Sequence, residues 1–246
     1  GTGIVNIFSP TPTALAQATA TLMQLLDGRP VNLGLGTSGK QLMRKYHGVD
    51  FARPVSRMRE AVQIIDTAFS TGRLPEGGDI FPLAGLPLGV PTSRERLRIY
   101  VAGLSGPTLQ VTGQVADGWL PIWFSVKHGQ AQLDQIRSSA REAGRAQPKV
   151  SAFLYGGVGA SEELKRHVRA TLAWYVAANG TAYRRLFENY GYTEEIGHIC
   201  DLWAAGNRQQ ARESVPDHLL EDTALLGDPP DFFAAVDRFI TAGVDR

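Results

Sequence analysis

The chain has 246 residues, with 25 basic and 24 acidic side chains and a formal net charge of +1. Its 43% of hydrophobic and 20% of charged residues are ordinary for a globular protein with a sizeable core. The mixed charges argue against a nucleic-acid partner, and no apolar run approaches the ~20 residues that span a bilayer. Cys200 is the only cysteine, which excludes a disulfide within the chain, and the amino terminus has no signal-peptide pattern. We therefore expect a cytoplasmic protein without a membrane partner.

Strand and helix patterns alternate along the chain. Strands are predicted at residues 1–7, 31–35, 98–102, 118–123 and 150–155. Helices are predicted to begin at Thr11-Pro12, near Pro54, after Ser105, near Lys127, after Ser161 as an N-cap, and at Asp228-Pro229. The strands are nearly continuous apolar runs, which are typical of a parallel sheet covered on both faces. A doubly wound open sheet and a (β/α)8 barrel both satisfy this pattern.

The stretch GLGTSGKQ, residues 34–41, contains two phosphate-binding patterns, G-x-G-x-x-G and G-x-x-x-x-G-K. A dinucleotide site needs an acidic residue at a strand end roughly 20 residues later, whereas Asp50 lies in a predicted loop and Glu60 on a predicted helix. A Walker A loop needs Ser or Thr where Gln41 stands. Neither motif is therefore complete, and Gly34 and Gly36 permit close packing and a tight turn at a strand end.

Two longer stretches resemble the luciferase-like oxidoreductases. They are GTGIVNIFSPTPTALAQATATLMQLLDGRPVNLGLGTSG and RIYVAGLSGPTLQVTGQVADGWLPIW, and the segment YHGVDFARPVSRMREAVQIID resembles the branch that depends on coenzyme F420. The resemblance implies a (β/α)8 TIM barrel in which the five predicted strands correspond to the family's third to seventh. We therefore expect one partial TIM-barrel domain over residues 1–246, without the first two β/α units and the last strand. Insertions are expected at about 72–97, with a small hairpin, and at about 179–222.

The resemblance also implies a cofactor site. Gly3 and Ile4 align with a bulge that carries a non-prolyl cis peptide behind the cofactor ring. Residues at two strand ends are expected to hold the cofactor; they are Gly36, Thr37 and Ser38 at one end and Ala102, Gly103, Leu104, Ser105 and Gly106 at the other. The second group is expected to contact a phosphate, because small residues and a helix start let backbone N–H groups approach an anion.

The remaining chemical residues form no recognisable catalytic set. Of five histidines only His47 could reach the cofactor, and no pair has metal-ligand spacing, so no metal is expected. Trp119 and Trp123 alternate on one predicted strand and favour barrel core. Tyr183, Tyr190, Tyr192 and Trp203 form either a lid over the open face or a helical insertion that is exposed or packed on a partner. The catalytic residues are not identified, and the resemblance implies that much of the catalytic equipment belongs to the first two units.

The function that the resemblance implies is hydride transfer between coenzyme F420 and an organic small-molecule substrate. An FMN-dependent monooxygenase on the same barrel is the alternative. A reduced barrel that binds ligands without catalysis is a second alternative. Members of the superfamily often dimerise, so a homodimer is left open.

Overall fold

A computed structural model of the chain describes residues 1–159 and 162–245. These residues fall into two compact units. The first contains residues 1–120 and 135–149, and the second contains residues 121–134 and the described part of 150–246. The prediction of a single domain over residues 1–246 stays a prediction. Ser161, predicted as a helix cap, lies outside the described residues.

Parallel strands form the sheet of the first unit, in the spatial order β1-β2-β5-β6-β7. The strands are β1 (Val5–Asn6), β2 (Val31–Gly36), β5 (Leu97–Ala102), β6 (Gly118–Trp119) and β7 (Lys149–Val150), whose second residue belongs to the second unit. A separate antiparallel hairpin joins β3 (Glu76–Gly77) and β4 (Leu83–Ala84) inside the predicted insertion at 72–97 and confirms the hairpin expected there.

The register of the sheet aligns the ends of its first three strands. Asn6 at the end of β1 pairs with Gly36 at the end of β2, and Gly36 pairs with Ala102 at the end of β5. We call these three residues and those that directly follow them the carboxyl edge. In parallel α/β proteins ligands bind at this edge.

Helices follow the strands. The helices are α1 (Pro12–Leu25), α2 (Lys40–Lys45), α3 (Pro54–Thr71), the 3-10 helix Arg94–Arg96, α4 (Gly106–Val115) and α5 (Gln130–Glu142), which has residues in both units. Pro12, Pro54 and Pro107 lie in the first turns of α1, α3 and α4, where a missing backbone N–H costs no hydrogen bond. The Thr11 hydroxyl caps α1 by accepting from the Ala14 N–H at 3.2 Å. Leu35, Ile65 and Val101 are fully buried in the core between sheet and helices.

The second unit is mostly helical and contains two parallel strands, β8 (Tyr155–Val158) and β9 (Ala224–Gly227). Its further helices are α6 (Glu162–Ala178), α7 (Thr181–Asn189), α8 (Thr193–Ala204), α9 (Arg208–Glu213), α10 (Asp217–Thr223) and α11 (Pro229–Thr241). None of the helices in the described ranges combines the length and the hydropathy that a membrane span needs.

Strand β9 corrects the expectation that the last strand of the barrel is missing. It lies between α10 and α11 in the chain, which is where a (β/α)8 chain carries the strand before its last helix. No pattern in the sequence indicated β9, because this strand has only four residues and follows α10 without a turn signal.

Three predicted strands were too long or in the wrong place. The strand predicted at 1–7 is limited to Val5–Asn6. The strand predicted at 118–123 ends at Trp119, and Trp123 adopts a left-handed conformation with φ of 56°. The strand predicted at 150–155 is two strands, because β7 ends at Val150 and β8 begins at Tyr155. Gly156 and Gly157, which directly follow the strand predicted at 150–155, lie inside β8.

Candidate functional site

The carboxyl edge brings together several residues that the sequence analysis selected. Gly36 and Ala102 are register partners, and Thr37 and Ser38 leave the edge directly after Gly36. Thr37 and Ser38 are partly exposed, and Ser38 has a left-handed backbone with φ of 56°. Within the described residues, the Ser38 hydroxyl makes no hydrogen bond to another group of the chain, so it is available to a ligand.

Gly3 and Ile4 lie against the same edge. The peptide bond between them is cis, as expected. A Cβ on Gly36 would lie 2.7 Å from Ile4 Cδ1, so the glycine lets the Ile4 side chain lie directly on β2. The Thr2 hydroxyl donates to the Gly34 carbonyl at 3.1 Å and accepts from the Gly34 N–H at 2.9 Å. These contacts hold residues 2–4 beside β2, a close approach that Gly34 and Gly36 permit.

The loop that follows β5 is held by contacts on three sides. The buried Trp119 indole N–H donates to the Gly103 carbonyl at 2.9 Å. Thr108 Oγ1 accepts from the Ser105 N–H at 3.0 Å and donates to the Ser105 carbonyl at 2.9 Å. The Gln135 side-chain amide donates to the Gly106 carbonyl at 2.7 Å. The loop is thus fixed before any ligand binds, which lowers the entropy cost of binding.

The arrangement suits an anion better than a cation. At the start of α4 the Gly106 N–H has no partner inside the helix, whereas Pro107 carries no N–H and the Ser105 N–H already donates to Thr108 Oγ1. The ten predicted site residues include no acidic side chain. Gly103 also approaches the helix closely, since a Cβ there would lie 3.1 Å from Thr108. Backbone donors and two short hydroxyl side chains at this edge could therefore hold the phosphate and polar groups of a cofactor.

Other predicted residues lie elsewhere. His47 is exposed and packs edge to face on Tyr46, with ring centroids 5.1 Å apart. Trp119 is core, as predicted, with a fully buried side chain. Trp123 belongs to the second unit, where it stacks on Tyr155 at 4.5 Å. Within residues 1–159 and 162–245, no group of three His, Cys, Asp or Glu side chains is placed to hold a metal ion.

The structure adds positioning residues that the sequence analysis missed. Thr2, Thr108 and Trp119 fix the backbone on which the predicted site residues lie. The role of Thr108 has a signal in the sequence. A serine before a helix, with a hydrogen-bonding side chain three residues later, is a helix-capping pattern, and Ser105 and Thr108 have this spacing. The Trp119 contact had none, since it joins residues 16 positions apart in different elements.

Asp222 organises the segment that follows β6 in the second unit. It is fully buried, and its carboxylate accepts from the Ser125 hydroxyl at 2.5 Å and the Lys127 N–H at 2.9 Å. The Tyr192 hydroxyl also donates to it, at 2.9 Å. Burial is the first cause that raises the pKa of Tyr192 above its ordinary value, and the hydrogen bond to Asp222 adds to it. Tyr190 and Tyr192 are buried and therefore pack within the helical insertion.

A second aromatic group surrounds Trp123. The Tyr155 hydroxyl donates to the Tyr175 hydroxyl at 3.2 Å, and Tyr183 packs edge to face on Tyr175 at 4.6 Å. Burial, with a contribution from Tyr175, raises the pKa of Tyr183 to about 12. Burial also raises the pKa of Tyr155, so Tyr155 and Tyr183 stay protonated at neutral pH, and the Tyr155 hydroxyl serves as the donor to Tyr175.

Comparison with known proteins identifies the family. The sequence profile described as luciferase-like monooxygenase matches residues 1–246. The chain belongs to the luciferase-like monooxygenase family. It is 35% identical to the phthiodiolone/phenolphthiodiolone dimycocerosates ketoreductase of Mycobacterium kansasii, over 95% of this chain and 67% of that protein. It is 27% identical to a Mycobacterium tuberculosis protein provisionally named a coenzyme F420-dependent oxidoreductase, over 93% of this chain and 72% of the relative.

A solved structure shows the same fold. The coenzyme F420-dependent tetrahydromethanopterin reductase of Methanopyrus kandleri superposes with a TM-score of 0.81, at 21% identity, over 98% of this chain and 74% of that one. This match confirms the predicted fold class, the luciferase-like type of (β/α)8 barrel. Strands β1, β2, β5 and β6 and the helices after them are thus β/α units of a fold that binds its ligands at the carboxyl edge.

Proposed function

We propose that this member of the luciferase-like monooxygenase family is an oxidoreductase that transfers a hydride between coenzyme F420 and an organic small molecule. The single observation that carries the proposal is the register Asn6–Gly36–Ala102, which aligns the predicted cofactor residues at one edge. The names of two similar proteins, an F420-dependent oxidoreductase and a ketoreductase, support the cofactor and a carbonyl or alcohol as the reacting group.

A bound deazaflavin would supply the hydride. The chain would supply its orientation and part of its electrostatic surroundings. In this proposal Ala102, Gly103, Leu104, Ser105 and Gly106 hold the phosphate near the start of α4. Thr37 and Ser38 donate to polar groups of the cofactor, and Gly3, Ile4 and Gly36 form an apolar surface beside its ring.

The test is a fluorescence titration of the purified protein with F420 and, separately, with FMN. We expect saturable F420 binding that is at least tenfold tighter than FMN binding. Ser105→Glu places a carboxylate on the exposed residue next to the expected phosphate and should weaken F420 binding at least tenfold. Gln110→Glu is the matched control, because it adds the same charge to an exposed position in the middle of α4. Equal effects of the two variants would argue against the phosphate position.

An FMN-dependent monooxygenase is the second candidate, and membership of the luciferase-like monooxygenase family favours it. The same titration separates the two functions. Saturable binding of FMN alone, together with oxygen consumption in the presence of reduced FMN, would replace the F420 proposal by this one.

A further inference from the structure

Arg57 occupies an unusual place at the carboxyl edge of the first unit. It lies in the first turns of α3, and its guanidinium carbon is 5.1 Å from the centre of the Phe8 ring and 4.9 Å from that of Phe81. Phe8 comes two residues after Asn6, the end of β1. The Asn6 side-chain oxygen accepts from the Phe8 N–H at 3.0 Å and from the Ser9 N–H at 2.9 Å, which turns the chain and fixes Phe8 at this edge.

The rings around Arg57 are themselves fixed. Phe8 stacks on Phe51 with centroids 4.6 Å apart. The Glu60 carboxylate, one turn further along α3, accepts from the Ile80 N–H at 3.0 Å and the Phe81 N–H at 2.9 Å and so holds the hairpin tip against the helix. The aromatic surface that Arg57 contacts is therefore built from three separate segments that converge at one point.

Among the described residues, Arg57 has no acceptor paired with its guanidinium. Over residues 1–159 and 162–245 its N–H donors make no hydrogen bond and no carboxylate forms an ion pair with it, and its Nε is buried without a partner. Neighbouring arginines differ, because Arg53 is paired with Asp79 and Arg44 with Asp50. Phenyl faces attract a cation, but they offer no acceptor to the in-plane N–H groups of a guanidinium.

A partly buried guanidinium without an acceptor is costly unless a ligand supplies one. Its planar donors fit the two oxygens of a carboxylate or a phosphate, and the nearby rings favour an apolar body next to the anionic group. We propose that Arg57, with Phe8 and Phe81, binds an anionic group of a small molecule at the carboxyl edge. The anion can belong to the substrate or to the cofactor. The choice between these two sources rests on the proposed function, whereas the anion site itself does not.

The direct test is calorimetric titration of the cofactor-free protein with benzoate, inorganic phosphate and benzamide. Benzoate offers a carboxylate on a ring, and benzamide has nearly the same shape without the charge. We expect saturable binding of benzoate or phosphate, with benzamide at least tenfold weaker than benzoate. Absence of saturable binding of both anions to the wild-type protein would overturn the proposal.

Variants locate the anion. Arg57→Met should weaken benzoate binding at least tenfold, and Arg57→Lys, which keeps the charge but loses the planar donors, should fall between it and the wild type. Arg53→Met is the matched control, since it removes an exposed arginine one turn earlier on α3, and it should stay within twofold of the wild type. If Arg57→Met does not fold, the benzoate affinity of Arg57→Lys and the ratio of benzoate to benzamide affinity still test whether Arg57 binds the carboxylate. Unchanged benzoate affinity in a folded Arg57→Met would refute the assignment.

Repeating the titration with saturating F420 distinguishes the sources of the anion. Retained benzoate binding supports an anionic substrate beside the cofactor, whereas competition supports an anionic group of the cofactor itself. A protein that binds benzoate through Arg57 but does not bind F420 would support the anion site and contradict the proposed function, so the two failures are distinguishable.

Discussion

Two aspartates, one in each unit, differ in the groups that compensate the negative charge of the carboxylate. Asp117 in the first unit accepts from Arg94 at 2.9 Å and from the Ile99 N–H at 2.8 Å, and Arg145 lies 3.7 Å away. Within residues 1–159 and 162–245, Asp222 in the second unit accepts only from neutral donors, which are the hydroxyls of Ser125 and Tyr192 and the backbone N–H of Lys127. The first carboxylate is half-buried among cations, and the second is fully buried without one.

The difference bears on what each aspartate does. Asp117 directly precedes β6 and joins it to the start of β5 through Ile99, on the amino side of the strands. That side of a (β/α)8 protein contributes mainly to stability. Asp222 instead fixes residues 125–127, which follow β6 on its carboxyl side. Because a buried carboxylate with neutral partners leaves several donors unsatisfied when it is removed, its deletion should be the more damaging.

Asp222→Ala tests this contrast with the largest expected effect. We expect it to lower the free energy of unfolding by about 3 kcal/mol or more, because the buried hydroxyls of Ser125 and Tyr192 and the Lys127 N–H lose their acceptor at once. Urea unfolding followed by circular dichroism measures the change. Asp217→Ala, which removes an exposed carboxylate on the same helix α10, is the control. A loss below about 1 kcal/mol for Asp222→Ala would mean that water replaces the carboxylate.

Asp117→Asn should have a smaller and salt-dependent effect. The amide still accepts from Ile99, but the attraction to Arg94 is lost, so we expect a decrease of about 1–2 kcal/mol in the free energy of unfolding at low salt. Raising NaCl to about 1 M should shrink the difference, because salt screens a half-buried ion pair. The effect of Asp222→Ala should not change with salt. If both variants respond equally to salt, the distinction between ionic and neutral compensation does not hold.

Tyr192→Phe removes a single donor to Asp222. We expect a loss of about 1 kcal/mol, since Ser125 and Lys127 still donate to the carboxylate. The same substitution in the Asp222→Ala background should cost markedly less, and this double-mutant cycle measures the coupling. Tyr190→Phe should show a much weaker coupling, because the Tyr190 hydroxyl donates to Gln132 and interacts with Asp222 only through its charge.

The sequence predicted the parts of the molecule whose signals are local. The strands at 31–35 and 98–102 were predicted to within one residue, because each is a continuous apolar run. The starts of α1, α3 and α11 followed from proline in their first turns. The close packing of Gly34 and Gly36 was also foreseen, since only glycine lets two backbones approach so closely.

The parts that were missed depend on distant partners or on unusual backbone. Strand β9 forms only because β8, far back in the chain, supplies its pairing partners. Ser125 and Asp222 are 97 residues apart, so no spacing rule connects them. Trp123 looked like part of a strand, and its positive φ is a property of the turn after β6 that an apolar pattern does not reveal. The site residues beside the cofactor stay a prediction, because their roles depend on a ligand.

Asp79 extends the comparison to an exposed carboxylate, where the expected effect is smallest. Its pairing with Arg53 lowers its pKa below the ordinary value of 3.8. Because its pKa is lower in the folded state, the ionised Asp79 stabilises the folded state above pH 3.8. This stabilisation is lost as the pH falls through the pKa of the folded state. Because the pair is exposed, Asp79→Asn should leave the melting temperature at pH 7 unchanged within error. Hydrogen exchange at Ile80 and Phe81 is the sensitive readout, since Glu60 still accepts from both N–H groups. Strong deprotection in Asp79→Asn at pH 7 would show that the ion pair, rather than Glu60, holds the hairpin tip on α3.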